Sequence, residues 1–311
     1  GPIERATHLL PQVSRPRIFD SQKATDGMRQ ILWGLFKKIV IADNCAVVVN
    51  DVFANPDAFS GTSLVIGAVL FAFQIYGDFS GYTDIALGSA RLLGFDLLRN
   101  FSYPYFSRDI AEFWRRWHIS LTSWFKDYVY IPLGGNRGSK LKTVRNTIIV
   151  FLLSGVWHGA NWTFIVWGLY HAILFMPLLL FNVKRTHAEP IAKGRFSPFD
   201  LIKIFITFGL VTIGWIIFRA DTLGQAWLYF KDIINPKSVE SILDKHPGAI
   251  TTMIFIGILL IIEWFQKHHL HGLYFGGSRF PRLARFIIYS AIIICLFWFG
   301  GKPEEFIYFQ F

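Results

Sequence analysis

Long apolar runs restrict the fold of this chain more than any other feature. Trp162–Phe181 contains no Asp, Glu, Lys or Arg, and the apolar runs Leu201–Ala220, Ile250–Phe265 and Phe286–Phe299 contain at most two such residues each. A helix that crosses a membrane needs about 20 such residues. Lipid offers no hydrogen-bond partners to an open backbone, so such runs cross as helices. They therefore predict membrane-spanning helices.

The other segments fit the same all-α class. Asn146–Trp157 is too short to cross alone, and Asp109–Trp124 mixes charges with aromatic residues as an interfacial helix does. Met28–Phe53 is apolar but carries charges, which predicts a tilted or interfacial amphipathic helix. We expect an all-α, polytopic integral membrane helical bundle with interfacial and short re-entrant helices.

Polar segments predict the connections. Two apolar stretches, Thr62–Tyr76 and Ile85–Leu98, flank a polar cluster, and residues 182–200 and 221–248 are predicted to be water-facing loops because they contain Pro, Gly and charges. We expect residues 1–311 to form a single domain. The chain does not start with Met, and we expect N-terminal helices of a longer protein to precede it.

The charge balance is basic, with 31 Lys and Arg against 21 Asp and Glu. Most of the cations lie at the ends of apolar runs, where they orient membrane proteins and meet anionic lipid. A nucleic-acid-binding protein would cluster them on water-facing elements, so we expect no nucleic acid. Cys45 and Cys295 both lie in apolar stretches and indicate neither a disulfide framework nor a metal site.

Ionisable side chains inside a membrane cost free energy and mark candidate functional sites. His158 follows Arg145, a predicted interface anchor, by 13 residues (158 − 145). A helix would carry it about 20 Å into a hydrocarbon core about 30 Å thick. Gly155 and Gly159 leave room for close packing or for substrate approach beside the ring. A packing histidine is the alternative, but the predicted depth favours a functional one.

His118 is the second candidate and lies in a segment rich in Trp and Arg. A solvated interfacial histidine and a functional histidine fit its surroundings equally well. An imidazole titrates near neutral pH, which suits a general base or an orienting partner.

The polar cluster contains Asp78, Ser80, Tyr82 and Asp84. On one continuous helix, residues six apart point about 120° away from each other. The two aspartates therefore form a paired acid–base dyad only if Gly81 breaks the helix. Lining a polar cavity and pairing with arginine side chains both stay open.

His268, His269 and His271 have a loosely metal-like spacing, but no carboxylate or Cys completes a ligand set. We expect solvated loop histidines and no metal. The sequence also has no phosphate-binding glycine loop, no G-x-S-x-G turn and no Cys/His nucleophile pair.

Four motifs, in order along the chain, resemble those of the membrane-bound O-acyltransferase family. They are Gly77–Ala86, Glu112–Leu121, Tyr130–Arg137 and Gly155–Trp162. Within this family the chain is most similar to the bacterial branch that acetylates alginate and other exopolysaccharides. The branch that D-alanylates teichoic acid is a more distant relative. The resemblance covers roughly residues 1–180.

The resemblance implies a bundle around a narrow passage, where a cytoplasmic thioester such as acetyl-CoA meets an acceptor. It implies that His158 is the catalytic general base for an acceptor hydroxyl. His118 would be a second catalytic histidine that orients the acceptor or assists the leaving thiolate. No bound cofactor is expected. The substrate-binding candidates are Asp78, Tyr82, Asp84, Arg115, Arg116, Trp117, Trp157 and Asn161.

The resemblance also implies partners and a location. The acceptor would be a cell-envelope polysaccharide or a separate extracytoplasmic acetyltransferase, and the chain would lie in the bacterial cytoplasmic (inner) membrane. Arg115 and Arg116 could bind anionic parts of the donor or snorkel to lipid phosphate. A proton-coupled transporter is an alternative, although the inverted repeat of many carriers is missing from the sequence. A noncatalytic scaffold of a polysaccharide export complex is another, and it predicts that both histidines tolerate replacement.

Overall fold

A computed structural model describes residues 2–181, 197–276 and 280–300. These residues form helices and connecting segments and contain no β-strand, which confirms the all-α prediction. In chain order the α-helices are α1 (Ala6–Ser14), α2 (Ser21–Leu35), α3 (Asp43–Ala54), α4 (Gly61–Leu92), α5 (Ile110–Arg116), α6 (Ile119–Phe125), α7 (Lys140–His158), α8 (Trp162–Leu180), α9 (Pro198–Arg219), α10 (Leu223–Ile234), α11 (Ile242–Lys245), α12 (Gly248–Gln266) and α13 (Arg282–Trp298). Two π-helical segments, Phe36–Ala42 and Lys126–Tyr130, follow α2 and α6.

Among the described residues, four helices are long and apolar enough to cross a membrane: α4, α8, α9 and α12. The predicted spans that start at Trp162, Leu201 and Ile250 coincide with the last three of them. α13 covers most of Phe286–Phe299. Most of the predicted loop 182–200 lies outside the described residues.

The described residues group into two compact units. The first unit comprises 2–50, 70–102, 242–276 and 280–300, and the second comprises 51–69, 103–181 and 197–241. A single domain over 1–311 therefore stays a prediction.

The segment Met28–Phe53, which was predicted to be a tilted or interfacial amphipathic helix, is largely buried. Lys37 lies in the π-helical segment and is only 3% exposed. Its ammonium pairs with Asp84 of α4 and donates to the Ser80 hydroxyl, and Lys38 pairs with Asp78 at 2.8 Å. A buried charge is costly unless it is paired and hydrogen-bonded. The aspartates of α4 provide that pairing, which hydropathy along one segment could not reveal.

The first apolar stretch, the polar cluster and the second stretch as far as Leu92 form one continuous helix, α4. Gly81 does not break this helix. A Cβ on Gly81 would lie 2.7 Å from the carbonyl oxygen of Gly34, so this glycine permits close packing against α2. Because the helix is continuous, Asp78 and Asp84 take different lysines and do not form a dyad.

Two buried polar contacts tie later segments into the first unit. The Tyr76 hydroxyl of α4 donates to Glu263 of α12 at 2.8 Å. His271 was predicted to be solvated, but it is 1% exposed and its Nε2 lies 3.2 Å from a carboxylate oxygen of Asp26. Arg91 pairs with the same aspartate at 2.9 Å. A neighbouring carboxylate distant in sequence thus explains why that histidine is buried.

In the second unit, α7 and α8 form an antiparallel pair with direct backbone contact. A Cβ on Gly155 would collide with the carbonyl of Phe164, and one on Gly168 would collide with the carbonyl of Phe151. Small residues that let backbones approach are typical of helix pairs in membranes. The two glycines therefore set the spacing of this helix pair.

Residues 221–248 are not a simple loop, because α10 forms within them. Thr222 caps α10 by accepting a hydrogen bond from the Gln225 backbone N–H at 3.1 Å. Tyr229 is 1% exposed and its hydroxyl donates to the carbonyl of Leu64 at 2.7 Å. The sequence did not predict this helix, because the charged residues near it made its amphipathic pattern hard to recognise.

The glycine contact predicts how Gly168→Ala will behave. The added methyl group collides with the Phe151 carbonyl, so we expect the free energy of unfolding to fall by about 1–3 kcal/mol. Thermal denaturation of the purified protein in detergent measures this. Gly209→Ala in α9 is the matched control, since a Cβ there meets nothing within 4 Å. Equal melting temperatures for the two variants would contradict the close contact.

Candidate functional site

The segment that carries His118 is two short helices and not the single helix predicted for Asp109–Trp124. α5 begins after Asp109, whose carboxylate accepts the backbone N–H of Glu112 at 2.7 Å. α5 and α6 are separated at Trp117 and His118. The break reorients the chain, so α5 and α6 do not continue as the single helix that the sequence predicted.

The backbone at His118 explains the break. Its φ of 44° and ψ of 53° lie in the left-handed region, which non-glycine residues seldom adopt. Uncommon backbone conformations concentrate at functional sites, where the surrounding structure holds them. The ring is 4% exposed. Burial, with a smaller contribution from the nearby His158, lowers the pKa of His118 to about 3, so this imidazole is neutral at physiological pH.

His158 is the last residue of α7, at the end of the helix predicted from Arg145 onward. Its imidazole lies among aromatic rings of three helices. The ring centroids of Trp167 and Phe218 lie 5.2 Å and 5.0 Å from it, both nearly perpendicular, and Phe164 is 6.2 Å away. The close pairing of α7 and α8 brings this aromatic wall against the ring.

Trp157 contacts both candidate catalytic histidines. Its ring centroid lies 6.0 Å from that of His118 and 4.9 Å from that of His158. The indole is 48% exposed, whereas His118 is buried. The sequence placed these two histidines 40 residues apart (158 − 118). The fold brings both rings to one tryptophan, as a joint site requires.

The short run before His158 is only partly enclosed by other helices. Phe151, Ser154 and Gly155 are buried, while Val156 is 55% exposed. The run Asn146–Trp157, which is too short to cross a membrane alone, is therefore buried on one face only. The other face stays open within the described residues because α7 packs chiefly against α8.

The other predicted residues near His118 have contacts of their own. Trp117 is buried and its ring lies 5.0 Å from that of Trp215. Arg116 is buried and donates to Glu112 at 2.6 Å, so any ligand would compete with that carboxylate for it. Arg115 is half-buried. Donor binding by the two arginines stays a prediction.

Asn161 has a clear local role as the N-cap of α8. Its Oδ1 accepts the backbone N–H of Thr163 at 3.1 Å, and its Nδ2 donates to the carbonyl of Asp221 at 2.9 Å. A side chain that satisfies the free N–H groups of a helix start stabilises that start. Substrate binding by Asn161 stays a prediction beside this structural role.

The remaining three predicted residues, Asp78, Tyr82 and Asp84, lie on α4 within the first unit. The two carboxylates pair with Lys38 and Lys37. Tyr82 is 43% exposed. The structure therefore favours the structural pairing that the sequence left open, with lysine in place of arginine, and substrate binding stays a prediction.

His171, in the middle of α8, was not among the site residues predicted from the sequence. It is fully buried, and neither ring nitrogen has a hydrogen-bond partner among the described residues. Its ring lies 5.1 Å from that of Trp167, which also contacts His158. Trp114 is 5.0 Å away on another side. The rule that selected His158, an ionisable residue inside an apolar run, would also have found His171.

Buried polar atoms that have no hydrogen-bond partner among the described residues concentrate around His171. The indole nitrogens of Trp114, Trp167 and Trp215 are buried without a hydrogen-bond partner among the described residues, as are both nitrogens of His171. Buried polar groups are paired in the large majority of cases, and each exception calls for an explanation. These aromatic residues therefore join the candidate site beside His118 and His158.

Comparison with known proteins identifies the family. The family model of the membrane-bound O-acyltransferases matches residues 1–218, which include His118, His158 and His171. This chain belongs to the membrane-bound O-acyltransferase family. The resemblance read from the four motifs is thereby confirmed, as is the assignment to a membrane protein.

Several curated members of this family are similar to the chain. A "Probable alginate O-acetylase AlgI" of Azotobacter vinelandii is 42% identical over 227 residues, which is 73% of this chain and 43% of that protein. The "Peptidoglycan O-acetyltransferase" of Helicobacter pylori is 37% identical over 77% of the chain and 45% of that protein. The "Teichoic acid D-alanyltransferase" of Bacillus subtilis is 31% identical over 70% of the chain and 57% of that protein. The chain thus spans about half the length of these relatives.

The unpaired imidazole predicts an unusual effect of His171→Leu. A buried polar group without a hydrogen-bond partner lowers the free energy of unfolding by about 1–3 kcal/mol. His171→Leu removes such a group, so the melting temperature should rise. Tyr170→Phe is the neighbouring control. It deletes a hydroxyl that donates to the Leu210 carbonyl at 2.8 Å, and should lower stability by about 0.5–1 kcal/mol. A lower melting temperature for His171→Leu would contradict this prediction.

Proposed function

We propose that this protein is a membrane O-acyltransferase of the bacterial cytoplasmic membrane. It moves an acetyl or other acyl group from a cytoplasmic thioester, such as acetyl-CoA, toward a hydroxyl of a cell-envelope polysaccharide or a relay partner. Family membership supports the reaction class. The names of the relatives, which cite alginate, peptidoglycan and teichoic acid, support a cell-envelope polymer as the acceptor.

One observation carries the proposal: His118 and His158 contact the same indole, Trp157. Two imidazoles beside one half-exposed ring give a reacting hydroxyl a base and a second hydrogen-bonding group. The half-exposed indole also leaves a side on which an acceptor can approach.

His158 acts as the general base. One ring nitrogen of the neutral imidazole accepts the proton of the acceptor hydroxyl as its oxygen attacks the acyl carbonyl. A C–O bond forms, the C–S bond of the thioester breaks, and the departing thiolate takes up the proton. The aromatic walls from Trp167 and Phe218 exclude water, which strengthens hydrogen bonds at the reacting atoms and limits hydrolysis of the thioester.

His118 positions the acceptor as a neutral hydrogen-bonding group. Because burial holds its pKa near 3, it does not carry a positive charge at the pH of the cell. Assistance to the leaving thiolate by a protonated His118 is therefore disfavoured. The left-handed backbone fixes the direction of its ring, and a fixed ring can orient a hydroxyl toward His158.

His158→Ala in the complete protein tests the base. A positioned base contributes about 10²–10⁴-fold, so O-acetylation of the envelope polymer should fall below about 1% of normal while membrane abundance is unchanged. Ester content in a complemented deletion strain is the measurement. His268→Ala, which alters an exposed histidine, should acetylate normally. Normal acetylation by His158→Ala would refute the mechanism and favour a scaffold.

His118 variants separate the imidazole from the backbone bend. Gly and Asn tolerate the left-handed conformation, so His118→Gly and His118→Asn should keep normal abundance but lose at least about 90% of acetylation. His118→Val disfavours the conformation and should lower abundance as well. If the Gly and Asn variants acetylate normally, the ring has no part in the reaction and only the bend is needed.

A further inference from the structure

A cavity lies in the first unit, where two of the candidate membrane spans end. It has a volume of about 890 Å³, and its lining includes the start of α2 and the last two residues of α4, Arg91 and Leu92. Tyr274, eight residues after the end of α12 (274 − 266), also lines it. The ends of spanning helices lie at the membrane–water interface. The cavity is therefore placed at the depth of lipid head groups.

The wall of this cavity is an ordered frame. Asp26 of α2 pairs with Arg91 at 2.9 Å, and its other carboxylate oxygen lies 3.2 Å from Nε2 of His271. Gln12 of α1 holds the segment after α4 through the backbone of Asp96. Its Nε2 donates to that carbonyl at 2.9 Å, and its Oε1 accepts from that N–H at 2.7 Å. These contacts join α1, α2, α4 and the segment after α12 around the cavity.

Two cations of this cavity have hydrogen-bond donors available to a ligand. Arg29 is half-buried, its Nε donates to the Tyr289 hydroxyl at 2.7 Å, and its guanidinium lies 5.7 Å from the ring centroid of Phe275. Its two terminal nitrogens have no partner among the described residues. Lys23 is exposed, and its ammonium forms no ion pair with the part of the chain that the structure describes. An anchored guanidinium and an ammonium match phosphate in charge and in hydrogen bonding.

A carboxylate without a cation lines the same cavity. Asp96 is exposed, and its side chain forms no ion pair or hydrogen bond within the described ranges. The other two carboxylates of the lining are engaged. Asp26 has Arg91 and His271, and Asp20 accepts the first backbone N–H groups of α2. The cavity thus offers two cations and one carboxylate to a ligand that carries both charges.

Exposed apolar side chains form the rim of the cavity. Ile18 and Phe19 line it and are 89% and 75% exposed. Leu92 and Phe95 line it on the α4 side. Adjacent large apolar residues exposed beside charged ones are typical of a segment that inserts its apolar side among acyl chains. The rim therefore fits a molecule that has hydrocarbon next to a charged head group.

We propose that this cavity binds a phospholipid whose head group carries both a phosphate and a primary ammonium, as phosphatidylethanolamine does. Arg29 and Lys23 bind the phosphate, and Asp96 accepts hydrogen bonds from the ammonium. The acyl chains lie against Ile18 and Phe19. The lipid is a structural ligand of the first unit, so the inference does not depend on the reaction proposed for the second unit.

The charges and the rim together select this head group among phosphates. The glycerol of phosphatidylglycerol gives Asp96 no cation, and the choline of phosphatidylcholine has no N–H to donate. Soluble phosphate esters leave the rim at Ile18 and Phe19 exposed. Only a lipid with an ammonium head group engages the cations, the carboxylate and the rim at once.

Competition among lipids tests the proposal. The complete protein is delipidated in detergent and mixed with equal amounts of phosphatidylethanolamine, phosphatidylglycerol and phosphatidylcholine that have the same acyl chains. Native mass spectrometry counts the bound lipids. An exposed ion pair contributes up to about fivefold in affinity, so phosphatidylethanolamine should be bound about fivefold more than either competitor. Equal binding of the three lipids, or a preference for phosphatidylglycerol, would overturn the proposal.

Asp96→Asn isolates the contact with the ammonium. It keeps the size of the side chain and removes its charge, so the preference for phosphatidylethanolamine over phosphatidylcholine should fall to about one. Asp57→Asn is the matched control, because Asp57 is exposed and does not line the cavity. A preference retained in Asp96→Asn, or lost equally in Asp57→Asn, would show that Asp96 does not select the head group.

Lys23→Gln/Arg29→Gln tests the contact with the phosphate. Loss of two charged hydrogen-bond donors should lower binding of all three lipids about tenfold. Lys231→Gln/Lys237→Gln removes two charges from exposed positions outside the lining and should bind lipid normally. Lys23→Gln alone, which breaks no contact of the Arg29 side chain, should lower binding about threefold. Unchanged binding in Lys23→Gln and in the double variant contradicts the phosphate contact.

A soluble head group separates a lipid from a phosphate ester. Glycerophosphoethanolamine carries the same charges without acyl chains, so at equal concentration it should displace little of the bound lipid. Ile18→Ser/Phe19→Ser should lower binding of phosphatidylethanolamine several-fold, because it removes the apolar contact of the chains. Efficient displacement by the soluble head group, with normal lipid binding in Ile18→Ser/Phe19→Ser, would assign the cavity to a soluble phosphate ester and overturn the lipid assignment.

Discussion

Direct backbone contact between α7 and α8 determines where the candidate residues of the second unit lie. Gly155 and Gly168 remove the side chains that would keep the helices apart. The wall that α8 forms around His158 through Trp167 depends on that short separation. A single pair of small residues thus sets the position of the wall beside His158.

Paired burial of charge organises the first unit in a different way. Lys37 could not remain in an apolar interior without Asp84, and the half-buried Lys38 pairs with Asp78. Each pair joins the π-helical segment to α4, so the four charges fix the register of two helices that glycines bring close together. Directional bonds of this kind specify one arrangement, where apolar packing between similar helices would allow several.

The sequence predicted the elements that composition and length determine. Runs without charge, such as Trp162–Phe181, gave the spans within a few residues, because a helix in lipid must be both apolar and long. The motifs also predicted the family. His158 was found because an ionisable residue inside an apolar run is conspicuous, and the identical signal at His171 was available but not used.

What the sequence could not predict depends on partners distant along the chain. The burial of His271 beside Asp26 and the ion pairs of Lys37 and Lys38 follow from tertiary contacts that no local pattern encodes. The break at His118 was missed because propensity gives no sign that a histidine will adopt a left-handed backbone. The joint position of the two histidines at Trp157 likewise emerges only when α5, α6 and α7 pack together.

The hydrogen bond between Tyr76 and Glu263 has a consequence for how this chain can diversify. The family model ends at residue 218, so α12 lies beyond the part that matches it, whereas Tyr76 lies within that part. Residues after 218 are thus attached to the family portion through a buried carboxylate. A lineage that exchanges the sequence of α12 must therefore keep an acceptor for the Tyr76 hydroxyl, because a buried hydroxyl without a partner lowers the free energy of unfolding.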